Sequence, residues 1–168
     1  MKVTVLVLFV VVFLLPPALA ATLHSRNRIV DWRNADRSSA GLLPPALPQM
    51  PAVVRIFSAR TVRWRGIVAT HSWIVLKSAG AANYSRFDYT AWGEPIWVDR
   101  FIPDGRWFGR MPELVFAADG TNAERMIPLI RQAVRDYAYP NTGDYRAWPG
   151  PNSSQKYLKF QHQPMCVN

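Results

Sequence analysis

The chain has 168 residues, one cysteine and a formal net charge of +9 at neutral pH. That length suffices for one domain with a hydrophobic core, while a single cysteine excludes an internal disulfide and a cysteine-rich zinc cluster. The positive charge is scattered rather than clustered, which argues against a nucleic-acid-binding tail. We therefore expect no nucleic-acid partner, no cofactor and no metal. A diffusely basic surface suits an anionic ligand of the cell envelope, or serves only solubility.

The first 21 residues predict export or membrane targeting. Lys2 precedes an apolar stretch from Val3 to Leu15, and Pro16-Pro17 and the small residues of Ala18-Leu-Ala20 follow. A cleaved secretory signal has this layout. An uncleaved anchor is the alternative, because the segment from Val3 to Ala21 just reaches the roughly 20 residues that a membrane-spanning helix needs. We favour cleavage because two prolines should break the helix early. Both readings predict an exported or membrane-associated protein that meets the membrane through this segment.

The remainder divides into an arm, a domain and a tail. Residues 22–51 predict an extended arm, because the run Gly41-Leu-Leu-Pro-Pro-Ala-Leu-Pro is too rich in proline for a helix or an inner strand. Residues 52–154 predict a globular domain. Residues 155–168 predict an irregular tail.

Within the domain, hydrophobic patterning predicts four strands and one helix. The strands are residues 52–60, 67–77, 84–92 and 96–102, and the second is apolar on both faces, as in a central strand covered on two sides. The helix is expected to start with a capping box formed by Thr121 and Glu124 and to end before Pro140. We expect an α+β fold in which an antiparallel sheet of about four or five strands carries one main helix.

His71 is the strongest candidate for chemistry because it lies in the middle of the apolar second strand. An imidazole in such a place must be hydrogen-bonded or serve a site, and a satisfied core histidine is the more common case. Asp88, on the next strand, could orient the imidazole, although a solvent-facing position is expected more often for an aspartate. Asp88, Asp104 and Glu113 share no metal-binding motif.

A nucleophile is suggested by the run Trp148-Pro-Gly-Pro-Asn-Ser153-Ser154. If a helix starts there, its unpaired amide groups would activate a nucleophile and stabilise an oxyanion, so Ser153 and Ser154 are candidate catalytic residues beside His71 and Asp88. The alternative is an asparagine-serine turn or helix cap. The candidate ligand-binding residues are three tryptophans and one asparagine: Trp73, Trp107, Trp148 and Asn152. Trp107 and Trp148 are expected at the surface because they follow turns.

Several runs together resemble a bacterial family known as domain of unknown function 3750. They are Asp31-Trp-Arg-Asn-Ala-Asp-Arg-Ser-Ser-Ala-Gly41, Trp64-Arg-Gly, His71-Ser-Trp-Ile, Gly105-Arg-Trp-Phe-Gly109 with Pro112-Glu-Leu, and Tyr145-Arg-Ala-Trp-Pro-Gly-Pro-Asn-Ser153. The similarity covers residues 28 to 153. Members of the family are treated as membrane-associated. After Ser153 the chain departs from the family's pattern, which suggests a truncated or frame-shifted product.

The order of these motifs is also similar to circularly permuted papain-like folds, in which a strand histidine precedes an Asn-Cys helix start. The resemblance implies that His71 corresponds to the general base of those folds. It also implies that Asn152-Ser153 or Ser154 occupies the position of their Asn-Cys pair. The absent cysteine argues against thiol catalysis. Three functions stay open: an envelope protein whose papain-like groove binds a peptide, lipid or cell-wall ligand; a hydrolase of the amidase or acyltransferase type; and a non-catalytic envelope scaffold.

Overall fold

The computed structural model describes residues 2–26, 33–67, 69–90, 93–137 and 141. The elements before the sheet are helical: α1 (Lys2–Phe9), a π-helical turn (Val10–Leu14) and α2 (Leu15–Arg26). The sheet and its helix follow as β1 (Val53–Arg60), a 3₁₀ helix (Arg63–Ile67), β2 (Thr70–Lys77), β3 (Ser85–Tyr89), β4 (Ile96–Val98), β5 (Glu113–Asp119) and α3 (Gly120–Arg135). This architecture confirms the predicted α+β class.

The two prolines near the N-terminus do not end the helix there, so that part of the prediction is wrong. Pro16 and Pro17 lie in the first turn of α2, directly after the π-helical turn. In that turn the backbone N–H of Leu15 donates to the carbonyl of Val10, and this wider spacing accommodates residues that lack a donor. Among the described residues, no helix is both long enough and apolar enough to cross a membrane.

The sheet is antiparallel and has the strand order β4-β3-β2-β1-β5. β2 lies at its centre, as the mostly apolar character of both faces of the predicted strand indicates, and is buried from His71 to Lys77. β3 is shorter than predicted and β4 is only three residues long. The pattern reading missed β5, an edge strand in which Phe116 and Ala118 pack against the core while the other residues are exposed. The run Leu114-Val-Phe-Ala-Ala118 is apolar throughout, so the sequence does not alternate.

Each face of the sheet has its own hydrophobic cluster. On one face, Ile74, Leu76 and Phe87 pack with the apolar side of α3, which contributes Ala123, Ile127, Ile130 and Val134. On the other face, Phe57, Trp73 and Val75 pack with Trp107 and Phe108 from the loop before β5. We call this second group the aromatic cluster. It has no helix over it within the described chain, and it is the face that carries His71.

Helix α3 confirms the predicted element but corrects its start. It begins at Gly120 with Asp119 at the N-cap, and no side chain makes a capping hydrogen bond. The carboxylate of Asp119 instead pairs with Arg55 at 2.7 Å, and the N–H of Gly120 donates to Ala52 at 2.9 Å. The capping box expected at Thr121 and Glu124 is therefore wrong. The helix continues through Pro128 and ends at Arg135.

Residues 22–26 of the predicted arm belong to helix α2 and are not extended. From residue 33 to 51 the arm has no regular helix or strand, as its prolines predict, and hydrogen bonds attach it to the domain. The buried carboxylate of Asp104 accepts hydrogen bonds from the Ser39 hydroxyl at 2.8 and 2.9 Å, and from the N–H groups of Leu42 and Leu43 at 2.8 and 3.3 Å. Ala35 and Leu43 pack against the aromatic cluster. The arm therefore covers part of the sheet face that carries His71, rather than standing clear of the domain.

The two faces of α3 give a matched stability test. Ile127 is 6% exposed in the core under the sheet, whereas Leu129 on the same helix is 41% exposed. Ile127→Ala should lower the free energy of unfolding by about 2–5 kcal/mol, because it leaves a cavity. Leu129→Ala should lower it by less than about 1 kcal/mol. Urea denaturation of the two variants measures the difference, and equal losses would contradict the described packing.

Candidate functional site

Strand register brings four side chains to one face of the sheet. His71 and Trp73 are two residues apart on β2, so they point to the same side. Trp73 pairs with Asp88 on β3, and Val75 pairs with Arg86, which puts Asp88 and Arg86 on that side as well. The prediction that the strand of Asp88 lies next to the strand of His71 is therefore confirmed.

Asp88 is the centre of a buried hydrogen-bonded group. Its Oδ1 lies 2.8 Å from Nε2 of His71 and accepts from Nη2 of Arg86 at 2.9 Å, while its Oδ2 accepts from Nε of Arg86 at 2.8 Å. All three side chains are buried. The expectation of a solvent-facing Asp88 is wrong, because β3 is an inner strand and this face is covered by the aromatic cluster.

Arg86 is the residue that sequence reasoning missed. It makes a bidentate pair with Asp88, and its Nη1 donates to the carbonyl of Ile102 at 2.7 Å. Its guanidinium lies 4.1 Å above the ring of Trp73. A buried arginine requires this many partners. The available signal was its position two residues before Asp88 in a strand, which puts both side chains on one face.

The aromatic cluster packs directly on the imidazole. The rings of His71 and Trp107 are stacked, with centroids 3.7 Å apart and planes 15° from parallel. Trp107 is 2% exposed, so the expectation that it lies at the surface is wrong. The reason is the turn that follows it: Phe108 and Gly109 both have positive φ, at 48° and 81°, and Trp107 pairs with Arg110 across them. This hairpin-type turn folds Trp107 back onto the sheet.

Two of the runs that suggested the family resemblance meet at this turn. The N–H of Gly109 donates to the carbonyl of Asp36 at 2.7 Å, and Nη1 of Arg106 donates to the Ser39 carbonyl at 2.7 Å. Arg37 lies over the ring of Phe108 at 4.4 Å. The arm thus holds the loop that carries Trp107, and through it the packing on His71.

The protonation states follow from the partners. Burial lowers the pKa of His71 below its ordinary 6.5, and the hydrogen bond and charge of Asp88 oppose that shift only in part. Burial raises the pKa of Asp88, but the hydrogen bonds from His71 and Arg86 outweigh it and hold that pKa below 3.8. An ionised carboxylate only accepts, so Nε2 of His71 carries the proton. In the neutral ring Nδ1 is then a lone-pair acceptor, and within the described ranges it has no hydrogen-bond partner.

The remaining predicted site residues lie outside the described part of the chain. These are Trp148, Asn152, Ser153 and Ser154, and their roles stay predictions. The described part brings together His71, Asp88, Trp73 and Trp107. It contains no group of three or more histidine, cysteine, aspartate or glutamate side chains arranged to hold a metal ion.

Fold and site define an α+β domain with a five-stranded antiparallel sheet and a buried His-Asp-Arg group on the sheet face opposite its helix. The chain belongs to the family described as "Protein of unknown function (DUF3750)", which matches residues 51–163. The match starts at the last residue of the predicted arm, so it leaves out the run Asp31–Gly41 on which the resemblance partly rested. It continues past Ser153, where a departure from the family was expected. No curated protein and no solved structure matches the chain.

The lowered pKa of His71 makes the stability of the domain depend on pH. The unfolded chain binds a proton at this histidine near pH 6.5, and the folded chain does so only at lower pH. This histidine's contribution to stability is therefore complete above pH 6.5 and is lost as the pH falls through the folded pKa. His71→Gln should remove that pH-dependent component, as measured by urea unfolding at pH 7.5, 6.0 and 5.0. An unchanged pH dependence in the variant would contradict the assignment.

Proposed function

We propose that this domain is a hydrolase or acyl transferase in which Nδ1 of His71 is the general base. The observation that supports this most is the hydrogen bond from Nε2 of His71 to a carboxylate that Arg86 holds in place. A base that is oriented by a third group through one ring nitrogen has the other nitrogen available for proton transfer. Its depressed pKa keeps the ring neutral, and thus able to accept a proton, at neutral pH.

The proposed nucleophile is Ser153 or Ser154. Its hydroxyl proton would pass to Nδ1 of His71 as the oxygen attacks the acyl carbon. The resulting imidazolium, stabilised by Asp88, would return the proton to the leaving amine or alcohol. Water or an acceptor amine would then release the acyl group from the serine by the same proton path. Serine needs this help more than cysteine does, because its hydroxyl is scarcely ionised at neutral pH.

We place this activity at the cell envelope. Support comes from the helical N-terminal region, where the large apolar side chains of Val3, Leu19 and residues 6–15 are 41% to 74% exposed, so the domain itself covers little of this surface. Export would explain such a segment as a signal that is removed, and membrane association would explain it as a segment that contacts lipid. The papain-like resemblance is part of the same proposal, since it supplies the order of base and nucleophile.

A ligand-binding envelope domain without chemistry is the second candidate. It is favoured by the burial of His71, which is only 5% exposed and stacked on Trp107. In that case the His-Asp-Arg group would stabilise the sheet, and a ligand would bind elsewhere on the domain. The two candidates differ in one respect that can be measured: only the first requires a reactive serine.

Labelling with a fluorophosphonate, which reacts with activated serines, tests the proposed reaction. The full-length chain should be labelled at Ser153 or Ser154, as identified by peptide mass spectrometry. His71→Gln and Asp88→Asn should each slow labelling by roughly 100-fold or more, because a general base usually contributes at least that much to the rate. Ser72→Ala, on the opposite face of β2, is the matched control and should label like the unsubstituted chain.

Circular dichroism on each variant establishes that the fold is retained. Absence of labelling on the unsubstituted chain would contradict the hydrolase. Labelling that proceeds at the same rate without His71 would show that this histidine is not the base.

A further inference from the structure

A cleft of about 390 Å³ lies at the end of the sheet where β1 ends and β2 and β5 begin. Its volume is within the range of small-ligand sites and suits a group about the size of a dipeptide. Backbone and side chains from the three strands and the two neighbouring loops form its walls: Ser58, Ala59, Arg60, Ile67, Ala69, Thr70, Arg110, Met111 and Glu113. Neither the sequence patterns nor the family match assigns a role to this cleft.

The cleft is adjacent to the proposed base. Ala59, in its wall, pairs with His71 in the strand register, so the two side chains are neighbours on the same face of the sheet. Thr70, also in the wall, directly precedes His71. His71 itself does not line the cleft. Arg60 pairs with Thr70, so their side chains belong to the opposite face of the sheet from His71. A ligand held by Arg60 would therefore lie at this end of the strands and would leave the aromatic cluster in place.

The cleft has an excess of positive charge. Two arginines line it against a single carboxylate, that of Glu113. Arg60 is held in place by hydrogen bonds from its Nη1 to the carbonyls of Gly66 and Ile67, at 3.0 and 3.2 Å. These acceptors are uncharged, and Arg60 makes no ion pair with any acidic residue in the described ranges. The guanidinium is thus oriented by the 3₁₀ helix while its charge is left for an anion.

The rest of the lining limits what kind of anion fits. Ala59, Ala69, Ile67 and Met111 provide apolar walls, while Ser58 and Thr70 provide hydroxyl groups. A bare inorganic anion would leave these apolar walls unused. A short peptide with small side chains and a free carboxylate matches the charge, the apolar contacts and the volume together.

We propose that this cleft binds the carboxylate-bearing end of a short peptide, with Arg60 as the residue that pairs with the carboxylate. The choice of a peptide rests on the proposed function, because a hydrolase or acyl transferase of the amidase type acts on amide-linked substrates. The charge and shape of the cleft are independent of it. Arg60 is therefore a specificity-determining residue, and Glu113 opposes the binding of the anion.

Binding can be measured without any reaction. The probes are N-acetyl-alanyl-alanine as the free acid, the same dipeptide as its C-terminal amide, and inorganic phosphate. Each is titrated into the full-length chain while the amide resonances of Ala59 and Thr70 are followed by NMR. The free acid should bind about tenfold more tightly than the amide, a difference that one charge-assisted hydrogen bond supplies. Phosphate should bind more weakly than the free acid.

Two substitutions should change this affinity in opposite directions. Arg60→Gln should weaken binding of the free acid by about tenfold, to the level of the amide. Glu113→Gln, on an exposed edge strand, should strengthen it by roughly twofold to threefold, because it removes a negative charge from the wall. Arg100→Gln, at an arginine that lies over Trp97 and away from the cleft, is the matched control and should leave the affinity unchanged.

The cleft assignment is overturned if the acid and the amide bind equally, if Arg60→Gln has the effect of Arg100→Gln, or if phosphate binds as well as the dipeptide acid. Should Arg60→Gln fail to fold, the increase expected for Glu113→Gln still decides the matter, and an unchanged affinity there overturns the proposal. A different result is that serine labelling fails while His71→Gln still binds the acid more tightly than the amide. That result would support the assignment of the cleft and contradict only the proposed reaction.

Discussion

The bidentate pair between Arg86 and Asp88 is the interaction on which the rest of this domain depends. Both side chains are almost fully buried, and burying either charge alone would cost several kcal/mol. Each is compensated by the other, and His71 on β2 and the carbonyl of Ile102 make further hydrogen bonds with the pair. The pair therefore links two neighbouring strands to the loop that follows β4. Removing one partner would leave a buried charge uncompensated, whereas losing a surface ion pair would matter little.

The same pair connects the fold to the proposed chemistry. Because Arg86 neutralises Asp88, the carboxylate orients His71 without making its imidazolium strongly favourable, and burial keeps the ring neutral. Trp107, stacked on the imidazole, restricts its rotation and excludes water from that side. The arm maintains this packing through Asp104, which ties Ser39 and Leu42 to the loop. A segment that looks like a linker in the sequence thus belongs to the support of the site.

Hydrophobic pattern was sufficient for the parts of the fold in which burial follows the chain locally. It predicted the central strand that carries His71, the helix with Ile127 and Ile130, and the neighbouring strand with Asp88. It failed for β5, because the run from Leu114 to Ala118 is apolar at every position, so the partly buried Phe116 and Ala118 do not stand out from their exposed neighbours. It also missed the partner of Asp119, since the pair with Arg55 spans 64 positions and depends on strand register. Only part of the site was predictable, for the same reason. His71 is conspicuous in an apolar strand, but the role of Arg86 as the ion-pair partner of Asp88 is apparent only once Asp88 is known to be buried.

The protonation of the His71 ring tests the central claim most directly. Two-dimensional ¹H–¹⁵N NMR that correlates the ring nitrogens with the ring protons distinguishes the two neutral forms and the imidazolium at neutral pH. The account predicts a neutral ring with the proton on Nε2, donated to Asp88, and an unprotonated Nδ1. A proton on Nδ1, or an imidazolium at pH 7, would contradict it, since His71 could then not accept a proton from a nucleophile.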